Sequence, residues 1–468
     1  MRVKRLRTLE DASRWLEGLI DVERTDVPYE RLGLGPIRSL LAALGHPERG
    51  LSILHVGGSK GKGSTALLAE AILRETGERV GVFTKPHLER WTERFRIDGA
   101  ESSGEHLAAA LDELRPHVER LRSASPETAP TWFDATVAAA LLLFREARVD
   151  RVILEVGLGG RLDSTNAVVP HATCLTTVEL EHTDKLGPTL AAIAGEKAGI
   201  LKPGVPLVTG RLPGEAVAVV AARVRELDLA WSRLGAEIDV AVEDVGLDGI
   251  RFRATDGSFA LEAALPLLGA HQATNAALAL ACVRRLPGRA PDAALASAAR
   301  RAFAGARLPG RVELVGRRPW LVADAAHTAA SARALAAALA PIPRARTHLV
   351  LSVSAGKDLA AILEALLPLA HTVTVTRAEP ARSLEPGALG AAVAAAAPGV
   401  SVRCVPNPHL AVRAAREALG PEDLLVATGS VYLAGIARSV LASGAAQVVV
   451  SRRDAAPEAR RPVPDRRL

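Results

Sequence analysis

The sequence predicts an α/β protein of two domains. The first has a mainly parallel sheet and a P-loop; the second is smaller and Rossmann-like. Three observations carry this. Short apolar runs alternate with amphipathic or Ala/Leu-rich helical patterns through most of the 468 residues, the order that builds βα units around a parallel sheet. A glycine-rich turn stands between one such run and a helical pattern. The alternation is interrupted near Ala306–Gly310 and then restarts.

Taken in order, the first domain covers 1–305, with strands expected at 51–56, 79–84, 150–156, 173–178 and 205–209. From about 237 to 266 the pattern changes to alternation around the turn signal Asp256-Gly257, which reads as a small antiparallel insert. A helix is expected to open near Gln272. The second domain covers 306–445, with strands expected at 320–323, 348–353, 372–376, 401–405 and 424–427. Its Ala-rich segment 386–399 sits at a regular helical position and reads as helix plus turn. The Arg- and Pro-rich end, 446–468, lacks either periodicity and is expected to be disordered.

Composition narrows the class. Hydrophobic residues make up 49% and charged residues 24%, as in soluble globular proteins. Half of the net charge of +6 lies in the tail, where six arginines face Asp454, Glu458 and Asp465. The body is therefore only mildly basic, which argues against a specific nucleic-acid partner. Glu10, Asp11 and Arg14 break any signal-peptide core, and the apolar stretch Ala135–Phe144 is too short to span a bilayer. Cys174, Cys282 and Cys404 show neither metal spacing nor a disulfide framework. A cytoplasmic protein is expected.

The turn His55-Val56-Gly57-Gly58-Ser59-Lys60-Gly61-Lys62-Gly63-Ser64-Thr65 is the strongest chemical signal. Glycines let backbone N–H groups converge on an anion, and the following helix, expected over 66–76, adds its positive end. Lys62 can reach the outer phosphates of a nucleotide, and Ser64 or Thr65 can serve a metal or a phosphate oxygen. The spacing is a shorter variant of the Walker A motif, because Val56 stands at its first glycine and Gly63 follows the lysine.

Two further segments lie where strands end, the usual place for ligands in such sheets. Glu155 closes an apolar strand and leads into Gly157-Leu158-Gly159-Gly160-Arg161-Leu162-Asp163-Ser164. A carboxylate there is costly unless it meets a metal, a reactant or an ion-pair partner, and all three readings stay open. His182, in Glu181-His182-Thr183-Asp184, reads as a metal ligand or as a hydrogen-bonded histidine. Lys197, in Glu196-Lys197-Ala198-Gly199, reads as a functional amine or as a snorkelling lysine.

In these residues the chain resembles the folylpolyglutamate synthase family, often joined with dihydrofolate synthase, within the Mur ligase superfamily of ATP-dependent amide-forming enzymes. The resemblance spans about 30 to 440. It includes Tyr29-Glu30-Arg31, the loop 55–65, Phe83-Thr84-Lys85-Pro86-His87-Leu88 and Glu155–Asn166. It continues through His182-Thr183-Asp184, Glu196–Gly204, His271-Gln272-x-x-Asn275, Pro309-Gly310-Arg311 and Asp324-Ala325-Ala326-His327.

The resemblance implies a first domain of Mur-ligase ATPase type and the addition of L-glutamate to a folate carboxylate through an acyl phosphate. In this reading Gly58, Ser59, Lys60, Gly61, Lys62, Gly63, Ser64, Asn275, Arg311 and Asp324 hold ATP. Glu155 and His182 bind Mg²⁺, with a second ion helped by a carbamylated Lys197. Thr131, Trp132, Phe133, Asp134, Leu162, Asp163 and Ser164 form the pteridine side, and Lys62, Lys197 and His327 act on the reacting groups. Folate, L-glutamate and ATP are the implied partners of a monomer.

Departures are few. The family usually carries a Mg²⁺-ligating serine at Lys85; a protonated lysine cannot ligate and would sit as a fixed cation beside the phosphates. Asp134 stands where glutamate is common, and His327-Thr328-Ala329 replaces the usual bacterial His-Asn-Pro. The competing readings are a Mur-like ligase acting on a non-folate carboxylate and a non-catalytic ATP- or folate-binding homologue.

Overall fold

A computed structural model describes residues 5–20, 33–125 and 129–453. Tyr29–Arg31 and the end of the tail, 454–468, lie outside the described residues. The chain divides into two compact units, Met1–Leu308 and Pro309–Leu468.

The first unit is built on eight strands: β1 (Ser52–Gly57), β2 (Val80–Phe83), β3 (Phe95–Ile97), β4 (Ala100–Glu101), β5 (Arg151–Glu155), β6 (Ala172–Leu175), β7 (Leu207–Thr209) and β8 (Trp231–Arg233). Their order is β4-β3-β2-β5-β1-β6-β7-β8, parallel except at the β2–β3 and β3–β4 pairs. β5 thus lies between β1 and β2, so Glu155 comes to rest beside the turn that follows β1.

Both faces of this sheet are covered, and side chains alternate between them as a strand requires. Leu54, Val56, Val82 and Ile153 face the helices Lys62–Glu75 and His271–Val283 and a second, antiparallel sheet. Ile53, Phe83, Val152 and Leu154 face the helices Gly104–Ala124 and Trp132–Glu146. Gly81 is required on that second face, since a Cβ there would lie 2.5 Å from the Phe144 ring. The antiparallel sheet comprises β9 (Ile238–Gly246), β10 (Gly249–Asp256) and β11 (Phe259–Leu265), in the order β11-β10-β9.

The second unit holds β12 (Glu313–Arg317), β13 (Trp320–Ala323), β14 (Thr347–Leu351), β15 (Thr372–Val375), β16 (Ser401–Cys404) and β17 (Leu424–Thr428). Their order is β12-β13-β17-β14-β15-β16, with the β12–β13 pair alone antiparallel. The α/β class expected from the alternation is therefore the class observed.

Three details differ from the sequence reading. The helix after the glycine-rich turn begins at Lys62 rather than Ala66, because Thr65 N–H donates to Gly61 O at 2.8 Å and closes a first turn made of loop residues. Hydrophobic periodicity cannot register a turn that carries no apolar residue. The last helix runs Val431–Arg453, taking in the first residues of the stretch expected to be disordered. The short pair β3–β4 and strand β8, two or three residues each, carry too little pattern to be anticipated. Among the described residues no helix is long and apolar enough to cross a membrane.

Beneath the glycine-rich turn, His55 on β1 is fully buried. Its Nε2 lies 2.9 Å from Thr165 Oγ1, and its Nδ1 has no hydrogen-bond partner among the described residues. Burial, then the Lys202 charge, lowers its pKa from 6.5 to about 3. The unfolded chain therefore binds this proton at a higher pH than the folded one. The stabilising contribution is complete above pH 6.5 and is lost as the pH falls toward 3. At a pH of about 4.5 the loss should be about 2–3 kcal/mol. Denaturant unfolding at neutral and acid pH checks it: a His55→Gln variant should show a shallower acid dependence, and an unchanged dependence would refute the assignment.

Candidate active site

The chain leaves β1 through Gly58 (φ +131°) and enters the helix Lys62–Glu75 through Gly61 (φ +83°), conformations that favour glycine. The loop between them is strapped to the segment after β6. Ser59 N–H donates to Thr177 O (2.8 Å), and Lys60 N–H donates to Thr177 Oγ1 (2.8 Å). Thr176 Oγ1 donates to Lys60 O, and Glu179 N–H donates to Ser59 Oγ at 3.0 Å. Sequence reasoning passed over Thr176 and Thr177; two hydroxyl residues directly after an apolar strand were the available signal.

Lys62 curls back over this loop, its Nζ donating to Gly58 O (2.9 Å) and Ser59 O (3.2 Å). Burial lowers its pKa, against the opposing pull of Glu181 and Glu155. Asn275 closes the other side: a Cβ at Gly61 would meet Asn275 Oδ1 at 2.5 Å. Asn275 Nδ2 donates to Gln272 Oε1 at 2.8 Å. Thr65 Oγ1 and Gln272 Nε2 are buried with no hydrogen-bond partner among the described residues. A strapped glycine loop, a lysine and orphaned polar atoms around it fit a phosphate-bearing ligand.

Three lysines converge on one carboxylate. Glu181 Oε2 accepts from Lys60 Nζ at 2.8 Å, and Glu181 Oε1 accepts from Lys197 Nζ at 3.3 Å. Burial pushes the Glu181 carboxyl up, but Lys60, Lys62 and Lys197 together outweigh it and hold the pKa well below the usual range. Lys197, almost fully buried, is lowered to about 8, chiefly by burial. Replacing Glu181 with glutamine should cost about 3 kcal/mol, because lysines packed around an anion are left facing each other. A nucleotide would return negative charge, so its presence should recover most of that loss. Unfolding with and without ADP checks this, and equal losses in both would refute it.

Glu155 is buried at the end of β5, where its Oε2 accepts from Lys85 N–H at 3.0 Å. A Cβ at Gly63 would lie 3.3 Å from the same oxygen, so the glycine admits the carboxylate to the start of the helix. His182 is exposed, with φ +49°, directly after Glu181. Among the described residues no group of three or more His, Cys, Asp or Glu side chains is arranged to hold a metal ion. A metal here would need ligands beyond Glu155 and His182, and phosphate and water oxygens are the usual ones for Mg²⁺.

Thr131 and Asp134 form a capping box on the helix Trp132–Glu146. Asp134 Oδ2 accepts from Thr131 N–H, and its Oδ1 accepts from Ser164 Oγ at 2.7 Å. Asp163 Oδ2 accepts from Leu158 N–H at 2.9 Å. These polar atoms hold one another in place, and burial raises the pKa of both carboxyls. The Phe133 ring stands beside them with Lys85 Nζ 5.6 Å from its centroid. Trp132 instead stacks under Arg94 at 5.0 Å. Leu162 packs against the separate cluster of Val178, Leu186 and Ile193.

Arg311, Asp324 and His327 lie together in the second unit, around the end of β13. Asp324 is buried and accepts from Val312 N–H and Ala326 N–H, each at 2.8 Å. It thereby fixes Val312 at φ +47° next to Arg311, and burial raises its pKa. His327 Nδ1 lies 2.8 Å from Ala325 O.

Comparison with known proteins gives a consistent picture. Residues 56–283 match the Mur ligase middle domain, and residues 310–431 match the Mur ligase glutamate ligase domain. A dihydrofolate synthase/folylpolyglutamate synthase of Bacillus subtilis is 34% identical, over 78% of this chain and 84% of that protein. A probable bifunctional folylpolyglutamate synthase/dihydropteroate synthase of Haloferax volcanii is 36% identical over 90% of this chain; the chain spans about half of that longer relative, 49%.

Among solved structures, Mycobacterium tuberculosis folylpolyglutamate synthase complexed with ADP and AMPPCP superposes with a TM-score of 0.85 at 32% identity, covering 92% of this chain and 98% of its own. Escherichia coli FolC in complex with DHPP and ADP gives 0.80 at 29%, covering 96% and 100%. A bifunctional folylpolyglutamate synthase/dihydrofolate synthase with Mn, AMPPNP and L-glutamate bound gives 0.78 at 30%, covering 93% and 98%.

Proposed function

This chain belongs to the folylpolyglutamate synthase/dihydrofolate synthase family of Mur ligases, and from that membership we propose that it is an ATP-dependent ligase adding L-glutamate to a folate carboxylate. The observation that carries the reading is the strapped glycine loop with Lys62 over it, set beside the buried Glu155 and the Phe133 wall.

A folate carboxylate oxygen attacks the γ-phosphorus of ATP, forming an acyl phosphate and releasing ADP. The amine of L-glutamate then attacks the acyl carbon through a tetrahedral intermediate. Phosphate leaves, the amine proton passes to solvent, and an amide remains. The loop N–H groups and the start of the helix Lys62–Glu75 bind the phosphates, and Lys62 balances the charge spreading over the transferred group. Glu155 and His182 would hold Mg²⁺, which supplies further charge neutralisation to the phosphate oxygens. Trp132 and Phe133 supply the apolar side of the folate pocket, with Thr131, Asp134, Asp163 and Ser164 fixing its walls. Arg311 and His327 serve the nucleotide and the transferred phosphate, and Asp324 acts by fixing the turn next to Arg311.

Lys197 suits conversion to a carbamate. A buried amine with a pKa of about 8 is neutral in a useful fraction near that pH. The neutral amine adds to carbon dioxide and loses a proton, turning a cation into an anion that can help hold a second Mg²⁺. Labelling with ¹³C-bicarbonate should give one carbamate resonance that Lys197→Ala removes; no such resonance in the native protein would overturn this assignment.

Phosphate release from ATP and Mg²⁺ tests the activity itself. It should require L-glutamate together with tetrahydrofolate or dihydropteroate, and the product should be heavier by one glutamyl residue. Release with both acceptors would establish the dual activity. No release with either would overturn the reading.

A further inference from the structure

Lys85 is a cation that the loop chemistry above does not use. Its backbone is pinned at the ligand end of the sheet, two residues past β2, by the bond from Lys85 N–H to Glu155 Oε2. Its ammonium lies 5.6 Å from the centroid of Phe133. That ring is itself fixed. It packs against Phe83 with centroids 6.0 Å apart, and a Cβ at Gly157 would meet its Cζ at 2.7 Å.

Three other lysines gather around the loop: Lys62 donates to Gly58 O, and Lys60 and Lys197 donate to Glu181. The Lys85 charge is felt at Lys62 on one side and at Asp163 on the other. Asp163 already accepts from Leu158 N–H and Thr165 N–H, so its carboxylate is stabilised from elsewhere too. Lys85 therefore stands between the phosphate cradle and the aromatic wall. A carboxylate that attacks a triphosphate must be brought to that boundary against like-charge repulsion, and a cation there both relieves the repulsion and orients an oxygen.

We propose that Lys85 receives the acceptor carboxylate, pairing with it over the Phe133 ring and presenting it to the γ-phosphate. This rests on the ligase reading above. It makes Lys85 the residue that distinguishes an acid acceptor from a neutral one of the same shape.

Calorimetric binding to the full chain saturated with a non-hydrolysable ATP analogue tests it, using dihydropteroate and its carboxamide as probes. The native protein should prefer the acid. Lys85→Met should weaken acid binding by about 10-fold or more, leave the carboxamide and ADP within about 2-fold, and abolish the preference. Lys85→Arg, which keeps the charge, should restore most of the acid affinity. Equal weakening of acid and carboxamide would overturn the proposal, as would unchanged acid affinity or a loss confined to ADP. A native protein that binds neither probe and releases no phosphate would instead refute the ligase reading, and this inference would fall with it.

Discussion

Replacing Lys62 with methionine should lower kcat for ATP-dependent ligation by about 10²–10³-fold, the usual effect of removing one preorganised charge from a developing anion. The methionine keeps most of the apolar stem but loses the ammonium that bridges Gly58 O and Ser59 O. The effect belongs to the reaction more than to the fold. Burial already disfavours the charged form of this lysine, so the ligand-free protein gains on desolvation roughly what it loses in hydrogen bonds. Stability without nucleotide should stay within about 1 kcal/mol of the native chain. Steady-state phosphate release and denaturant unfolding, measured on the same preparation, check both halves. A native-like kcat would refute the role given to Lys62.

A single methyl group at Gly58 should abolish measurable nucleotide binding and destabilise the first unit by about 3 kcal/mol or more. The added Cβ would lie 2.1 Å from Thr176 Oγ1, 2.8 Å from Thr176 N and 3.0 Å from Thr177 N. Two of these are backbone atoms of the strap, so loop and strap must part. The conformation at φ +131° adds strain for any residue with a side chain. Gly204 provides the contrast. It has φ +69° and nothing within 4 Å of an added Cβ, so Gly204→Ala should lose only about 1 kcal/mol and leave nucleotide affinity unchanged. Titration with ADP and thermal unfolding of both variants separate strain from clash. Native-like ADP affinity in Gly58→Ala would show that the strap does not shape the site.

The legible parts of this protein are those with a local signature. The glycine-rich turn announces itself because strand, turn and helix follow one another within a few residues. Glu155 is conspicuous because a carboxylate ends an otherwise apolar strand. The antiparallel segment at 238–265 shows a period of two and a turn dipeptide. The first turn of the helix at Lys62 was missed because it is polar, and β8 because three residues carry no periodicity.

By itself, then, the sequence determined the α/β class, the phosphate loop and the residue types available to the chemistry, since each is written in contiguous residues. Tertiary structure alone decided which of those residues meet. It placed β5 between β1 and β2, which brings Glu155 against Gly63. It gathered Lys60, Lys62 and Lys197 around Glu181, a carboxylate 121 residues from Lys60. It turned Asp134 and Ser164 toward each other, and set the Lys85 ammonium over Phe133. Strand order and burial create these encounters, and neither is encoded in local spacing. The energies that matter at the site are those of charges desolvated together, and they exist only once the chain has closed around them.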